Sequence, residues 1–151
     1  MNLVYSAYRG ISEPEWMEQA GLFAQSVLSR LGKVDWDLSI LYCDDSCIRE
    51  LNREYRHKDE ATDVLSFEQG ETYNDESGET RFLAGDIVIS LDTLVRNAGE
   101  FSVDMNEELR RLIVHGILHL EGLDHEDNEA SRPMLVLQEE IMAALTSPNA
   151  S

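Results

Sequence analysis

Cysteine, positive charge and long apolar runs are all scarce in this chain. Cys43 and Cys47 are its only cysteines. Two thiols make no disulfide framework, and C-x-x-x-C without a second pair is a weak zinc signal. They read as free cysteines near a strand end. No stretch approaches the roughly 18 consecutive apolar residues of a membrane span, and the opening MNLVYSAYRG has no apolar signal-peptide core. A cytoplasmic protein with no membrane partner is therefore expected. Basic residues number 12 against 30 acidic ones, a formal net charge of −18. Taken as a sum, that opposes a nucleic-acid partner. Exposed charges are screened beyond about 8 Å at physiological salt, however, so local arrangement can outweigh the total.

Four of the 12 basic residues, Arg49, Arg53, Arg56 and Lys58, lie within ten positions of one another. The first three follow i, i+4, i+7 and share a helix face. Arg110 and Arg111 fall about a turn before His115. On charge alone, a solvated face balanced by Glu50 and Glu54 accounts for the run better than a binding surface does.

Histidine is distributed unevenly. Three of the four histidines, His115, His119 and His125, fall within DMNEELRRLIVHGILHLEGLDH at 104–125. His115 and His119 stand four apart in a helical pattern, which places their imidazoles on one face with Cβ atoms about 5–6 Å apart. Gly122 can end that helix in a left-handed conformation and turn the chain back, so that His125 returns as a third ligand. The spacing H-x-x-x-H-x-x-G-x-x-H is that of the metzincin proteases, with Gly116 where those enzymes carry the glutamate that activates water. The cage is kept and the base is missing, which argues against peptide hydrolysis. Three imidazoles around one zinc leave a tetrahedral position open, as in catalytic rather than structural sites. An i, i+4 histidine pair alone is often only a solvated helix face; the third histidine behind a suitably placed glycine favours metal. Glycine in a helix interior costs about 1 kcal/mol relative to alanine, so Gly116 suggests close approach of a strand or of substrate.

At 151 residues the chain is long enough for one domain, 1–151, with its own core. Residues 3–8 read as a strand. Ser12-Glu13-Pro14-Glu15 resembles a capping box, opening a helix that buries Trp16, Ala20, Phe23, Val27 and Leu31 and ends at Gly32. Residues 38–42 form a second strand, and Asp44-Asp45-Ser46 caps a helix with Ile48, Leu51 and Tyr55 inward, stopping near His57. Residues 64–67 make a short strand, and 69–80 a loop or ragged hairpin tip rich in acid. The β-branched run 86–90 is a central strand. A short helix carries Leu91, Leu94, Val95 and Ala98. Asp104 and Glu107 then box the histidine helix, whose core face is Leu109, Leu112, Ile113, Gly116 and Leu120, with His115 and His119 at its edge. A last helix starts between Asp127 and Ser131, with Pro133 in its first turn, and buries Met134, Leu137, Ile141 and Leu145. The tail from Ser147 is expected to fray. The fold class is α/β (α+β): a small mixed four-stranded sheet covered by about five helices, with the histidine helix lying on the sheet.

LNREYRHKDEATDVLSF at 51–67, GDIVIS at 85–90 and HGILHLEGLDH at 115–125 resemble, in this order, the bacterial YbeY family of metal-dependent endoribonucleases. The resemblance extends over nearly the whole chain. It implies an α/β domain holding one zinc through His115, His119 and His125, with Arg56 over the cleft and needed for function. It further implies single-strand cleavage in ribosomal RNA maturation, particularly at the 3′ end of the small-subunit RNA, and in ribosome quality control. Ribosomal RNA, the small subunit and assembly factors are the partners expected on that basis. The chain departs from the family pattern at His57, Ala61 and Glu68, where glycine, proline and proline are common. No general base stands out; Asp124 and Glu121 are near the ligands, and Asp124 fits orientation of a ligand better than catalysis. The competing readings are a ribosome-assembly factor that cuts nothing, a metalloprotease with its base from elsewhere, and a Cys43/Cys47/His115/His119 structural zinc site, which ignores His125. Nickel or copper would also suit three imidazoles.

Overall fold

The computed structural model describes residues 1–123 and 128–146. His125 and Asp124, and the tail from Ser147, lie outside the described residues. Four strands, β1 (Leu3–Arg9), β2 (Trp36–Cys43), β3 (Val64–Asn74) and β4 (Thr80–Ser90), form one sheet in the order β1-β2-β4-β3. The first two neighbouring pairs are parallel and β3 runs antiparallel to β4, so the sheet is mixed as expected. Among the described residues there are five α-helices: α1 (Met17–Arg30), α2 (Asp45–Arg56), α3 (Leu91–Glu100), α4 (Met105–Leu118) and α5 (Asn128–Thr146). No helix among the described residues is long and apolar enough to cross a membrane.

Strand alternation divides the core in two. Leu38, Ile40, Tyr42, Ile87 and Ile89 form one cluster with residues of α1, α4 and α5. On the opposite face Val88 and Cys43 pack against Cys47 and Ile48 of α2. The two cysteines are buried and free, in a cluster separate from the histidine helix.

Helix ends follow the polar residues around them. Asp44 accepts from the Cys47 amide at 2.9 Å and Asp104 from the Asn106 amide at 2.8 Å, and His57 closes α2 in a left-handed conformation, φ 59°. At α1 the reading fails. Helix starts at Met17, and Trp16 in the capping position provides no side-chain bond. The Met17 amide bonds instead to the Pro14 carbonyl at 3.2 Å, so Ser12 to Trp16 make an approach to the helix and not its cap. Pro133 likewise falls in the second turn of α5, which begins at Asn128.

The larger correction is the hairpin. Strand β3 continues to Asn74 and leaves only residues 75–79 as its tip, where Asp75 accepts from the amides of Ser77 and Glu79 at 2.9 and 3.0 Å. A polar edge strand needs a distant anchor, and Arg81 of β4 supplies it. That guanidinium is only 7 % exposed and donates to Asp37 of β2 at 2.7 and 2.9 Å. The Tyr73 hydroxyl donates to the same carboxylate.

Two glycines let β4 be approached closely from different sides. Gly116 of α4 lies against Ile87, whose Cδ1 would stand 2.8 Å from an added Cβ. The expectation of close approach by a strand is met. Gly85, at φ 148°, would place a Cβ 2.2 Å from the Phe67 carbonyl oxygen. Ile87 meets the added Cβ at Gly116 with side-chain atoms alone, its Cγ1 and Cγ2 at 3.0 Å as well as Cδ1, and they can give with a small shift of the helix, whereas a backbone oxygen in a sheet cannot. Gly85→Ala should therefore cost on the order of 2–4 kcal/mol. Gly116→Ala should cost less, because about 1 kcal/mol of helix propensity offsets the overpacking. Urea unfolding of the two variants checks that order.

Asp45 gives a pH prediction. Burial pushes its carboxyl up, but the Ser90 and Thr93 hydroxyls, each at 2.6 Å, and Arg96 at 2.8 Å outweigh this and hold it below the ordinary carboxylate range. A lowered folded-state pKa stabilises above the unfolded pKa of about 3.9 and loses that contribution as pH falls through the folded value. Asp45→Asn should accordingly lower stability near neutral pH and flatten its decline on acidification, as read by denaturant midpoints.

Candidate functional site

Helix α4 carries the histidines to the open edge of the sheet. Its buried stripe, which includes Leu109, Leu112, Ile113 and Gly116, leaves His115 and His119 half-buried at the margin. After Leu118 the chain kinks within His119–Leu123, where Gly122 leaves helical geometry at φ 93°. The expected left-handed break is there, and the return toward His125 lies beyond the described residues.

The two rings lie with centroids 4.4 Å apart and their Nε2 atoms 2.8 Å apart. Two Zn–N bonds of about 2.0–2.1 Å at a tetrahedral angle would set those nitrogens roughly 3.3 Å apart. A small rotation of either ring meets that requirement, so the donor pair fits a cation that takes imidazole nitrogen. No group of three or more histidine, cysteine, aspartate or glutamate side chains arranged to hold a metal occurs among the described residues.

Gln138 of α5, which the sequence reading missed, orients His115. Its Oε1 stands 2.8 Å from His115 Nδ1, and the side chain is 6 % exposed. Which end of the amide faces the ring is set farther out. Gln138 Nε2 donates to Glu139 Oε2 at 3.2 Å, and both Glu139 oxygens accept from Arg111 at 3.0 Å. Arg111 holds the Glu139 carboxyl below the ordinary range, so this anchor stays anionic. A carbonyl oxygen only accepts, so Nδ1 of His115 carries the hydrogen and the Nε2 lone pair faces His119. Sequence offered no signal for this, since Gln138 lies on another helix, 23 positions from His115.

Across from the histidines lies the end of α2. Tyr55, Arg56, Ser66, Phe67 and Glu68 line the same cleft of about 700 Å³ as His115 and His119. Arg56 donates to the Ser66 carbonyl and lies over the Phe67 ring, 5.2 Å from its centroid. The Ser66 hydroxyl reaches the Gly116 carbonyl at 3.5 Å, so β3 bridges the two walls. Among the described residues lining the cleft, Arg56 is the only arginine or lysine. Arg49 is engaged by Asp59 at 2.8 Å rather than by Glu50 or Glu54, Arg110 lies over Phe23, and Arg111 is held by Glu139. Glu121 pairs with Lys33 at 2.8 Å and does not line the cleft. Tyr55 is a correction: expected inside, it is 59 % exposed, because α2 has left the core by its last turn.

The architecture is shared with a solved protein. The solution structure of TM1509 from Thermotoga maritima superposes with a TM-score of 0.64 at 26% identity, over 93% of this chain and 87% of that one. A family model described as Endoribonuclease YbeY matches residues 7–146. Endoribonuclease YbeY of Treponema denticola is 62% identical over 120 residues, covering 80% of this chain and 77% of its own. The protein of the same name from Treponema pallidum is 46% identical over 143 residues, 95% of this chain and 89% of its own. The chain belongs to the endoribonuclease YbeY family.

The orientation of His115 can be checked directly. In nitrogen-detected NMR of the metal-stripped protein, His115 should appear as the Nδ1–H tautomer, and Gln138→Met should convert it to a mixture. An unchanged tautomer in the variant would show that Gln138 does not set it.

Proposed function

We propose that this protein is a metal-dependent endoribonuclease that cuts single-stranded RNA and acts in the cytoplasm on ribosomal RNA, at the 3′ end of the small-subunit RNA and in ribosome quality control. Small-subunit ribosomal proteins and assembly factors are its partners in that role. The observation that carries the reading is the convergence of Arg56 with His115 and His119 in one cleft, from helices far apart in sequence. Family membership supports the reaction class.

In this reading His115, His119 and His125 hold one zinc ion. Bound there, the ion would supply Lewis acidity toward a phosphoryl oxygen and lower the pKa of a water molecule. Gln138 keeps the His115 Nε2 lone pair available for it. Arg56 is held through one nitrogen by the Ser66 carbonyl, and its other N–H groups are donors for phosphate oxygens. A guanidinium presents them in a planar fork suited to phosphate, where negative charge gathers as the bond breaks. Among the described residues Arg56 has a neutral backbone partner and no carboxylate paired with it, unlike Arg49 or Arg111. A protease reading is disfavoured by position 116, which faces Ile87 of the sheet and has no room there for the glutamate of the metzincins.

Cleavage of a single-stranded ribosomal RNA fragment should vanish on chelation, return with zinc, and be absent in His119→Ala. Arg56→Ala should slow cleavage about 10²–10³-fold with zinc content unchanged; parallel loss of both would remove Arg56 from the reaction. A metal-loaded protein that cleaves no RNA would instead identify an assembly factor without this chemistry.

A further inference from the structure

The reaction outlined above gives no task to the most exposed ring of the cleft. Tyr55 stands on the face of α2 that Ile48 and Leu51 turn toward the core. The core ends before the helix does, so the apolar stripe runs on into the cleft mouth as this phenol. The ring nonetheless has an aromatic partner. Phe67 meets it edge-on, with centroids 5.5 Å apart and planes at 66°. The same Phe67 underlies the Arg56 guanidinium. One half-buried aromatic on β3 thus holds an exposed ring and a cation side by side on one wall, at adjacent positions of the chain.

We propose that Tyr55 is a stacking site for one unpaired nucleobase of the strand whose phosphate Arg56 binds. This rests on the RNA-cleaving reading of the cleft and assigns a base-binding subsite within it. Every base presents a π-face, so stacking on tyrosine tolerates any sequence. A base inside a duplex is already stacked and paired, and reaches the ring only after extrusion. Preference for single strands then follows from the wall of the cleft, with no reading of base edges. Edge-on support by Phe67 leaves a face of the Tyr55 ring for the base, and Arg56 beside it favours the negatively charged backbone over an uncharged aromatic ligand.

The test uses a short single-stranded RNA with one 2-aminopurine, whose fluorescence is quenched by stacking, and the same label in a duplex. Each is mixed rapidly with purified full-length protein and followed before cleavage sets in. The wild type should quench the single strand and leave the duplex unaffected. Tyr55→Phe should keep the quench. Tyr55→Leu keeps an apolar side chain against Phe67 without a π-face, and it should lose the quench and bind roughly 5- to 150-fold more weakly, the range that one stacked base contributes. In cleavage assays the leucine variant should raise KM more than it lowers kcat. Quenching and affinity in Tyr55→Leu equal to wild type would reduce the ring to apolar filler and overturn the proposal while leaving RNA cleavage standing. Should the leucine variant fail to fold, the wild-type contrast decides, since equal quenching of single strand and duplex overturns the proposal as well. A wild-type protein that binds neither RNA overturns both this inference and the reading it rests on.

Discussion

The seat of α4 on the sheet is the constraint from which the site follows. With no side chain at Gly116, the helix lies directly on Ile87. His115 and His119, one residue before and three after this contact, then emerge where helix and sheet part. On the next strand over, Ser66 ties β3 to the Gly116 carbonyl, while Leu120 packs over Gly85 of β4. A bulkier residue at either glycine would lift α4 or push out β3, and the distance between the histidines and Arg56 would change with it.

Charge is organised by pairing. The chain carries a formal −18, yet several of its arginines are cancelled locally: Arg81 by Asp37, Arg49 by Asp59, Arg96 by Asp45 and Arg111 by Glu139. Each pair serves structure, by anchoring the hairpin, the α2 end, the α2–α3 contact or the α4–α5 contact. Arg56 differs in being held by a carbonyl dipole and an aromatic face. It keeps its charge where the fold keeps its cleft, so net charge is a poor guide to what this surface can bind.

Sequence made the local features legible and left their meeting points obscure. The spacing of His115 and His119, the break at Gly122 and the stop at His57 are all properties of a few consecutive residues, and they appear as read. Arg56 was singled out by resemblance, but only the fold shows it across the cleft from the histidines. The polar stretch after Phe67 looked like a loop because the Asp37 carboxylate that holds Tyr73 and Arg81 lies on β2, far away along the chain. Periodicity identified the inward face of α2 correctly but could not tell where the core beneath it ends, which is why Tyr55 was placed inside. Gln138 was invisible for a related reason: its role exists only when α5 lies against α4. Residues 124–127 leave the third histidine as a reading from sequence.

Arg56 is the single arginine or lysine among the described residues lining the cleft of a strongly acidic protein, and this bears on ionic strength. Each phosphate neutralised on a single strand contributes about −0.7 to the slope of log K against log salt. If Arg56 makes the one backbone contact, that gain is small, while repulsion between the RNA and the rest of the acidic surface weakens as salt rises. The two effects oppose each other. Association would then be nearly indifferent to salt, in contrast to proteins that grip RNA with many cations, and capture would depend on how the strand is presented to the cleft rather than on long-range attraction.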